Sequence, residues 1–181
     1  MMPKWTVHRL NNGLGEHAVA WDDHNLRLFN AHPMLDSRFV DGLLKHFGDG
    51  TERLCVMHIN GQRQAMCLLR PKGFGVWATF LPSQTQIGLA LIKKPAALVA
   101  LMRRLPGFVG KLDLLCNDPA FVVLPTVNTC ISHCTDHALT MNVSLDGDFD
   151  SYWNARSKNL AKNIARYERP PRARMTCYTY P

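Results

Sequence analysis

The sequence predicts a mixed α/β fold in which helices flank one sheet, with a basic amphipathic helix near the C-terminus. Three observations lead to this fold class. Apolar strand-like runs alternate with segments of helical periodicity, without a repeating strand-helix-strand unit. Asn60-Gly61 separates two apolar runs, which is typical of a tight hairpin. The chain has 181 residues, of which 46% are hydrophobic, enough for one packed domain or for one domain and part of a second.

The first fifty residues predict one strand and two helices. KWTVHRL, residues 4–10, is a short strand. A helix over residues 16–29 places four apolar side chains in one stripe, namely Ala18, Trp21, Leu26 and Phe29. His32-Pro33 ends it, and Asp36 or Ser37 is then a suitable N-cap for a second helix. That helix is closed by Gly48 and Gly50, and its apolar positions are Phe39, Leu43, Leu44 and Phe47.

The middle of the chain predicts most of the sheet. Residues 53–59 and 64–70 are the two arms of the Asn60-Gly61 hairpin, and FGVWATF, residues 74–80, extends the sheet. Residues 81–92 form a loop and a possible strand. KPAALVALMRRL then predicts a helix with Pro95 in its first turn. Further strand candidates are residues 110–116, 120–125 and 137–145, which brings the total to about six or seven strands.

Positive charge is concentrated near the C-terminus. Between residues 152 and 174, seven Lys or Arg residues oppose one acid, which leaves +6 of the formal +7. A single helix, capped by Asp148 or Asp150 and ended by Pro170-Pro171, explains the spacing. One face is apolar, with Trp153, Leu160, Ile164 and Tyr167, and we expect it to be packed against the first domain or a partner. The other face carries our candidates for binding an anionic ligand, Lys158, Lys162, Arg166 and Arg169. The alternative is a solvated charged face on a packed helix.

The six cysteines predict no disulfide framework, because four of them lie singly in apolar or strand-like runs. CISHCTDH, residues 130–137, offers two thiols and two imidazoles, which suggests zinc. Structural zinc sites usually draw ligands from two separated knuckles, however, and this one would have to wrap a single short loop around the ion. We therefore interpret the segment as a polar loop and expect no metal. The chain also lacks an apolar run of membrane-spanning length and a signal peptide, so we expect a cytoplasmic protein with no membrane contact.

FDSYWNARSKNLAKNIARYER, residues 149–169, closely resembles the segment that opens the acetyltransferase domain of the CelD-like (cellulose-biosynthesis-type) GNAT-superfamily proteins, which are related to the Fem-type aminoacyltransferases. The N-terminal part of the chain resembles the N-terminal half of these proteins. Its segments occur in the expected order, namely HPMLDSRFVDGLLKHFGDG, then the hairpin, then PSQTQIGLALI followed by a helix and GKLDLL. The resemblance implies a GNAT-like, mainly antiparallel sheet in each of two halves. It also implies N-acyltransferase activity with acetyl-CoA or another acyl-CoA as co-substrate.

The chain departs from this family where the catalytic half should continue. Pro170-Pro171 cut the basic helix, and no glycine-rich turn opens a helix in the way that cradles a pyrophosphate. Gly13-Leu14-Gly15 and Gly73-Phe74-Gly75 are weak matches in turn-like contexts. We therefore expect residues 1–146 to be a GNAT-like N-terminal domain and residues 147–181 to begin a truncated acetyltransferase domain. Such a fragment would not catalyse acyl transfer independently or bind acyl-CoA alone.

The catalytic residues stay unassigned. His58 and Asp113 are general-base candidates, but nothing pairs them with an amine site, which favours structural roles. One alternative function is a non-catalytic interaction or dimerisation domain, in which a second copy or a partner covers the apolar face of helix 150–169. Another is a nucleic-acid binder using the basic helix. The position of Trp153 and Tyr167 on the apolar face, away from the cations, argues against stacking platforms and hence against nucleic acid.

Overall fold

The computed structural model describes residues 3–93, 98–123, 132–136 and 146–168, without the side chains of residues 161, 167 and 168. The chain divides into two compact units, an N-terminal unit of residues 1–137 and a C-terminal unit of residues 138–181. The domain assignment drawn from the resemblance, with its boundary after residue 146, stays a prediction. Among the described residues, no helix has the length and apolar character needed to cross a membrane. The cytoplasmic location also stays a prediction.

In the part of the chain that the structure describes, the N-terminal unit is an α+β structure built on one six-stranded sheet, so the predicted mixed sheet is confirmed. The strands are β1 Lys4–Arg9, β2 Arg53–Ile59, β3 Gln62–Gly73, β4 Val76–Thr79, β5 Ala90–Leu91 and β6 Lys111–Asp113. Their order is β1-β2-β3-β4-β6, and β5 pairs with β3 beyond the end of β4. All pairs are antiparallel except β4 and β6, which run parallel.

The hairpin between β2 and β3 forms where the sequence predicted it. Asn60 and Gly61 adopt φ values of 53° and 76°, the left-handed conformation that a two-residue type I′ turn requires at both positions. The register of the pair shifts between Met57 and His58, so that His58 lies opposite Arg63. This irregularity places an imidazole and a guanidinium group side by side at the end of the hairpin.

Two helices, α1 Ala18–Phe29 and α2 Ser37–Phe47, pack on one face of the sheet. The Asp36 carboxylate accepts a hydrogen bond from Arg38 N at 2.9 Å, which confirms the predicted N-cap. The stripe predicted for α1 is wrong at Leu26, which is 64% exposed. Asn25 is buried instead, because its side-chain amide satisfies the backbone of the loop that follows the helix. The core on this face includes Trp21, Phe29, Leu35, Val40, Leu54, Met66, Leu68 and Phe80.

The opposite face of the sheet carries a second core cluster, against which the short helix α3 Leu98–Met102 packs. Cys55 and Cys67 are fully buried free thiols that lie opposite each other on β2 and β3. They behave as small apolar side chains, as predicted. A hydrogen bond with Cys55, together with burial, raises the pKa of the Cys67 thiol. Residue 95, placed in the first turn of this helix by the sequence, lies outside the described residues.

The strand predicted over residues 120–125 is wrong where the structure describes it. Residues 119–121 form a turn, followed by a bend at Val122, and Phe121 N and Val122 N both donate to Asp118 O. Val122 is buried in the α1-α2 core, and the Phe121 ring lies 5.2 Å from that of Phe29. In its described part, Val122 covers the core and Val123 N donates to Lys93 O at 2.8 Å, and residues 120–123 belong to no strand. The strand predicted over residues 137–145 lies outside the described residues.

The basic segment forms two helices, α4 Phe149–Asn154 and α5 Lys158–Glu168, where one was predicted. The Asp148 cap is confirmed, since its carboxylate accepts from Ser151 N at 2.7 Å. The break follows from Ser157, whose hydroxyl accepts from Leu160 N at 3.3 Å and so begins a new helix. The predicted apolar stripe from Trp153 to Leu160 requires one continuous helix. The prediction of a continuous helix is wrong. Residues 169–171, including the two prolines, lie outside the described residues.

Candidate anion-binding site

The described residues form an open depression where α1 passes the β2-β3 turn. Its volume is about 520 Å³. We call it the α1-hairpin depression. Residues of α1 contribute one side and residues of the hairpin the other. It is lined by Ala20, Asp23, His24, Arg27, His58, Gly61, Gln62 and Arg63.

His24 is held in the neutral form by its two hydrogen-bond partners. The side chain is buried, its Nδ1 lies 3.0 Å from Ala20 O, and its Nε2 lies 3.0 Å from Arg27 Nη2. A carbonyl only accepts, so Nδ1 carries the proton, and Nε2 then accepts from the guanidinium group. Burial lowers the pKa of His24, and the charges of Arg27 and Arg63 lower it further, against the hydrogen bond to Ala20, which raises it.

Arg27 links the helix to the hairpin. Three residues separate it from His24, so both side chains lie on the same side of α1. Its Nη2 also lies 3.4 Å from Arg63 O, at the limit of a hydrogen bond. Both arginines are exposed, so their remaining N–H donors are available to a ligand.

His58 is the one general-base candidate from the sequence that lines the depression. It is half-buried and pairs with Arg63 across the hairpin. Burial lowers its pKa first, and the nearby charges of Arg63, His8 and Lys4 lower it further. We therefore expect a neutral imidazole at pH 7, because the lowered pKa lies below the usual histidine value of 6.5.

Two more histidines, His8 and His17, lie close to each other beside the depression. The rings of His8 and His17 lie 4.6 Å apart, and His8 Nε2 lies 3.0 Å from Thr6 Oγ1. Burial lowers the pKa of His17, with a further contribution from His8 that exceeds the opposing effect of Glu16. The charge of Arg63 acts on His17, His24 and His58, which connects this pair to the depression.

The anionic-ligand candidates from the sequence lie elsewhere. Lys158, Lys162 and Arg166 are exposed along α5 in the C-terminal unit, four residues apart and therefore on one side of the helix. Arg169 lies outside the described residues. These residues form a stripe on one helix without lining the α1-hairpin depression. Whether they bind an anion stays a prediction.

The structure does not bring the two general-base candidates together. Asp113 is on β6, separated from β2 by β3 and β4. Its carboxylate lies 3.0 Å from Lys111 Nζ, which gives it a local partner. In the Gly13-Leu14-Gly15 turn, the backbone amide of Leu14 already has a hydrogen-bond partner, since Leu14 N donates to Asp41 Oδ1 at 2.7 Å. This amide is therefore not available to a phosphate.

Sequence reasoning missed His24, Arg27 and Arg63. The available signals were the His24-x-x-Arg27 spacing on a helix and a basic residue two positions after the Asn60-Gly61 turn. Neither indicates that α1 lies against that hairpin. Within the described ranges, no group of three or more His, Cys, Asp or Glu side chains could hold a metal ion. The structure describes only residues 132–136 of CISHCTDH, so its interpretation as a polar loop stays a prediction.

The chain matches no protein-family model, and no curated protein or solved structure matches it. The function proposed below therefore depends on the chemistry of the α1-hairpin depression and on the resemblance of the basic segment.

Proposed function

We propose that the N-terminal unit binds a small anionic ligand in the α1-hairpin depression. The protein would be of the GNAT-like, acyl-CoA-dependent N-acyltransferase type, and this chain would not transfer acyl groups by itself. The observation that carries the proposal is that two exposed arginines, Arg27 and Arg63, line the depression beside the neutral His24, to which the Arg27 guanidinium group is hydrogen-bonded.

Guanidinium groups suit this role because their planar N–H donors match the oxygens of a carboxylate or a phosphate. Arg27 is oriented before any ligand arrives, since His24 Nε2 and Arg63 O both lie within hydrogen-bond distance of its Nη2. Asp23 lines the same depression and opposes an anion, but two arginines against one carboxylate still leave a positive lining.

Two features support the link to acyltransferases without independent catalysis. The resemblance implies a mixed, mainly antiparallel sheet flanked by helices, and the described residues have such a sheet. General-base chemistry needs a base within reach of the proton it removes. His58 faces Arg63 across the hairpin, and Asp113 lies two strands away beside Lys111, so neither is paired with a second catalytic group.

One observation favours a second function, an interaction or dimerisation domain. In the C-terminal unit, Phe149 is 69% exposed and Leu160 is 43% exposed, although both are large apolar side chains. A second copy or a partner that covers them would remove this apolar surface from water. Sedimentation velocity on the full chain separates the two functions, because only the second predicts a dimer or larger species.

The anion-binding proposal is tested by following the backbone amide spectrum of the full chain during titration with inorganic phosphate. We expect saturable shifts at Arg27, Arg63 and their neighbours. Arg27→Gln and Arg63→Gln should each weaken binding roughly tenfold or more, the size of a hydrogen bond to a charged group. Arg103→Gln is the matched control, since Arg103 is exposed outside the depression. Shifts spread over the whole surface, or equal weakening by Arg103→Gln, would contradict the proposal.

A further inference from the structure

The α1-hairpin depression is surrounded by groups whose positive charge can increase when an anion binds. The groups that face it or act on its histidines come from every element around it. Strand β1 contributes Lys4 and His8, the 3-10 turn Gly15–His17 contributes Glu16 and His17, and α1 contributes Asp23, His24 and Arg27. The hairpin contributes His58 and Arg63. Three permanent cations thus oppose two carboxylates, and His24 and His58 add positive charge only when they take up a proton.

We propose that this depression binds a phosphomonoester group in its dianionic form, and that His24 and His58 take up protons from solvent when it binds. The inference rests on the proposed anion-binding function and deepens it. The ligand class is identified by its charge, namely two negative charges close together.

The charge expected of the ligand follows from the charged groups that line the depression. Arg27 Nη2 lies 3.4 Å from the Arg63 carbonyl, so α1 and the hairpin approach closely there. Asp23 compensates one guanidinium group, so the lining carries a net +1 while His24 and His58 are neutral, and one proton taken up by a histidine raises it to +2. A dianionic phosphate matches that charge and has enough oxygens for both guanidinium groups.

Proton uptake follows from the same arrangement. The charges of Arg27 and Arg63 contribute to the lowered pKa of His24, after burial, and Arg63 contributes to that of His58. An anion that compensates these charges removes part of the repulsion that disfavours the imidazolium form.

His24 has a second reason to take up a proton. Its Nε2 lone pair accepts from Arg27 Nη2 in the free protein. A ligand oxygen that accepts this N–H instead releases Nε2, which can then bind a proton and donate to the same oxyanion. The proton comes from solvent, so each histidine that becomes protonated adds one positive charge to the protein.

The test uses sulfate as a probe, because its two charges do not change between about pH 5 and pH 8, and methanesulfonate as its monovalent counterpart. Binding to the full chain is measured by amide shifts at constant ionic strength. We expect sulfate to bind roughly tenfold more tightly than methanesulfonate at pH 5.5 and to lose roughly tenfold or more in affinity by pH 7.5, as the protons coupled to binding are lost. Ring resonances of His24 and His58 should titrate at higher pH with sulfate than without it.

His58→Gln should reduce the dependence of sulfate affinity on pH, whereas His46→Gln, an exposed position on α2, should leave it unchanged. Equal affinity for the two probes, or an affinity independent of pH, would overturn this inference and leave the proposed function standing. No binding of either probe, or of inorganic phosphate, would overturn both. The ring titrations use the unmodified protein, so the inference can be refuted even if a histidine variant does not fold.

Discussion

Asn25 joins the end of α1 to the loop that follows it, and its replacement by alanine tests how this end is held. The side chain is only 4% exposed. Its Oδ1 accepts from His32 N at 2.9 Å, and its Nδ2 donates to His32 O at 3.0 Å. One side chain therefore satisfies both backbone groups of one residue seven positions along the chain.

The size of the effect follows from these two hydrogen bonds. Each contributes about 0.5–1.5 kcal/mol net, and a partly buried partner left unsatisfied costs about 1–3 kcal/mol. We expect Asn25→Ala to lower the free energy of unfolding by about 2–4 kcal/mol. Because α1 also carries His24 and Arg27, the same change should weaken phosphate binding in the α1-hairpin depression.

Urea unfolding followed by far-ultraviolet circular dichroism measures this difference. Asn11→Ala is the control, because Asn11 is exposed and such changes usually stay within about 0.5 kcal/mol. If Asn25→Ala stayed within that range, or matched the effect of Asn11→Ala, the two hydrogen bonds would not hold the end of α1 and the reasoning would be refuted.

Two further predictions concern pH and the basic segment. The folded pKa values of His24 and His58 are lowered below 6.5, so the unfolded chain binds more protons in that window. Thermal stability should therefore fall as the pH drops through 6.5 toward the folded values; a melting temperature that rises on acidification would contradict this. Leu68→Ala should cost about 2–5 kcal/mol in urea unfolding, because Leu68 is fully buried. Leu160→Ala should cost only about 1 kcal/mol, because Leu160 is 43% exposed; equal costs would mean that a partner covers that face.

The features that sequence reasoning predicted correctly are those that depend on short stretches of chain. The Asn60-Gly61 turn forms because both residues tolerate positive φ. Asp36 and Asp148 cap helices because a short carboxylate reaches the free amides of the next turn. Each of these signals needs only a few neighbouring residues, so no tertiary contact was needed to find them.

The single basic helix was predicted wrongly because the local helix start at Ser157 was not recognised. Two other wrong predictions concern apolar patterns whose partners are distant. Leu26 was assigned to the buried stripe of α1, although Asn25 is buried beside it, because the loop around His32 needs its amide. Val122 was assigned to a strand, although it covers the α1-α2 core from a bend. Periodicity reports that a residue is apolar, and the elements that fold against it decide whether it is buried.

The candidate site shows the same division. The sequence by itself determined a mixed sheet, the Asn60-Gly61 hairpin, and a segment with most of the net charge. Only the tertiary structure decided that α1 crosses beside that hairpin, which brings His24 and Arg27 to His58 and Arg63. The physical reason is that helix spacing and strand pairing place side chains within one element, whereas a site between elements depends on how their apolar faces pack. That packing is a property of the whole core, so no short stretch of sequence specifies it.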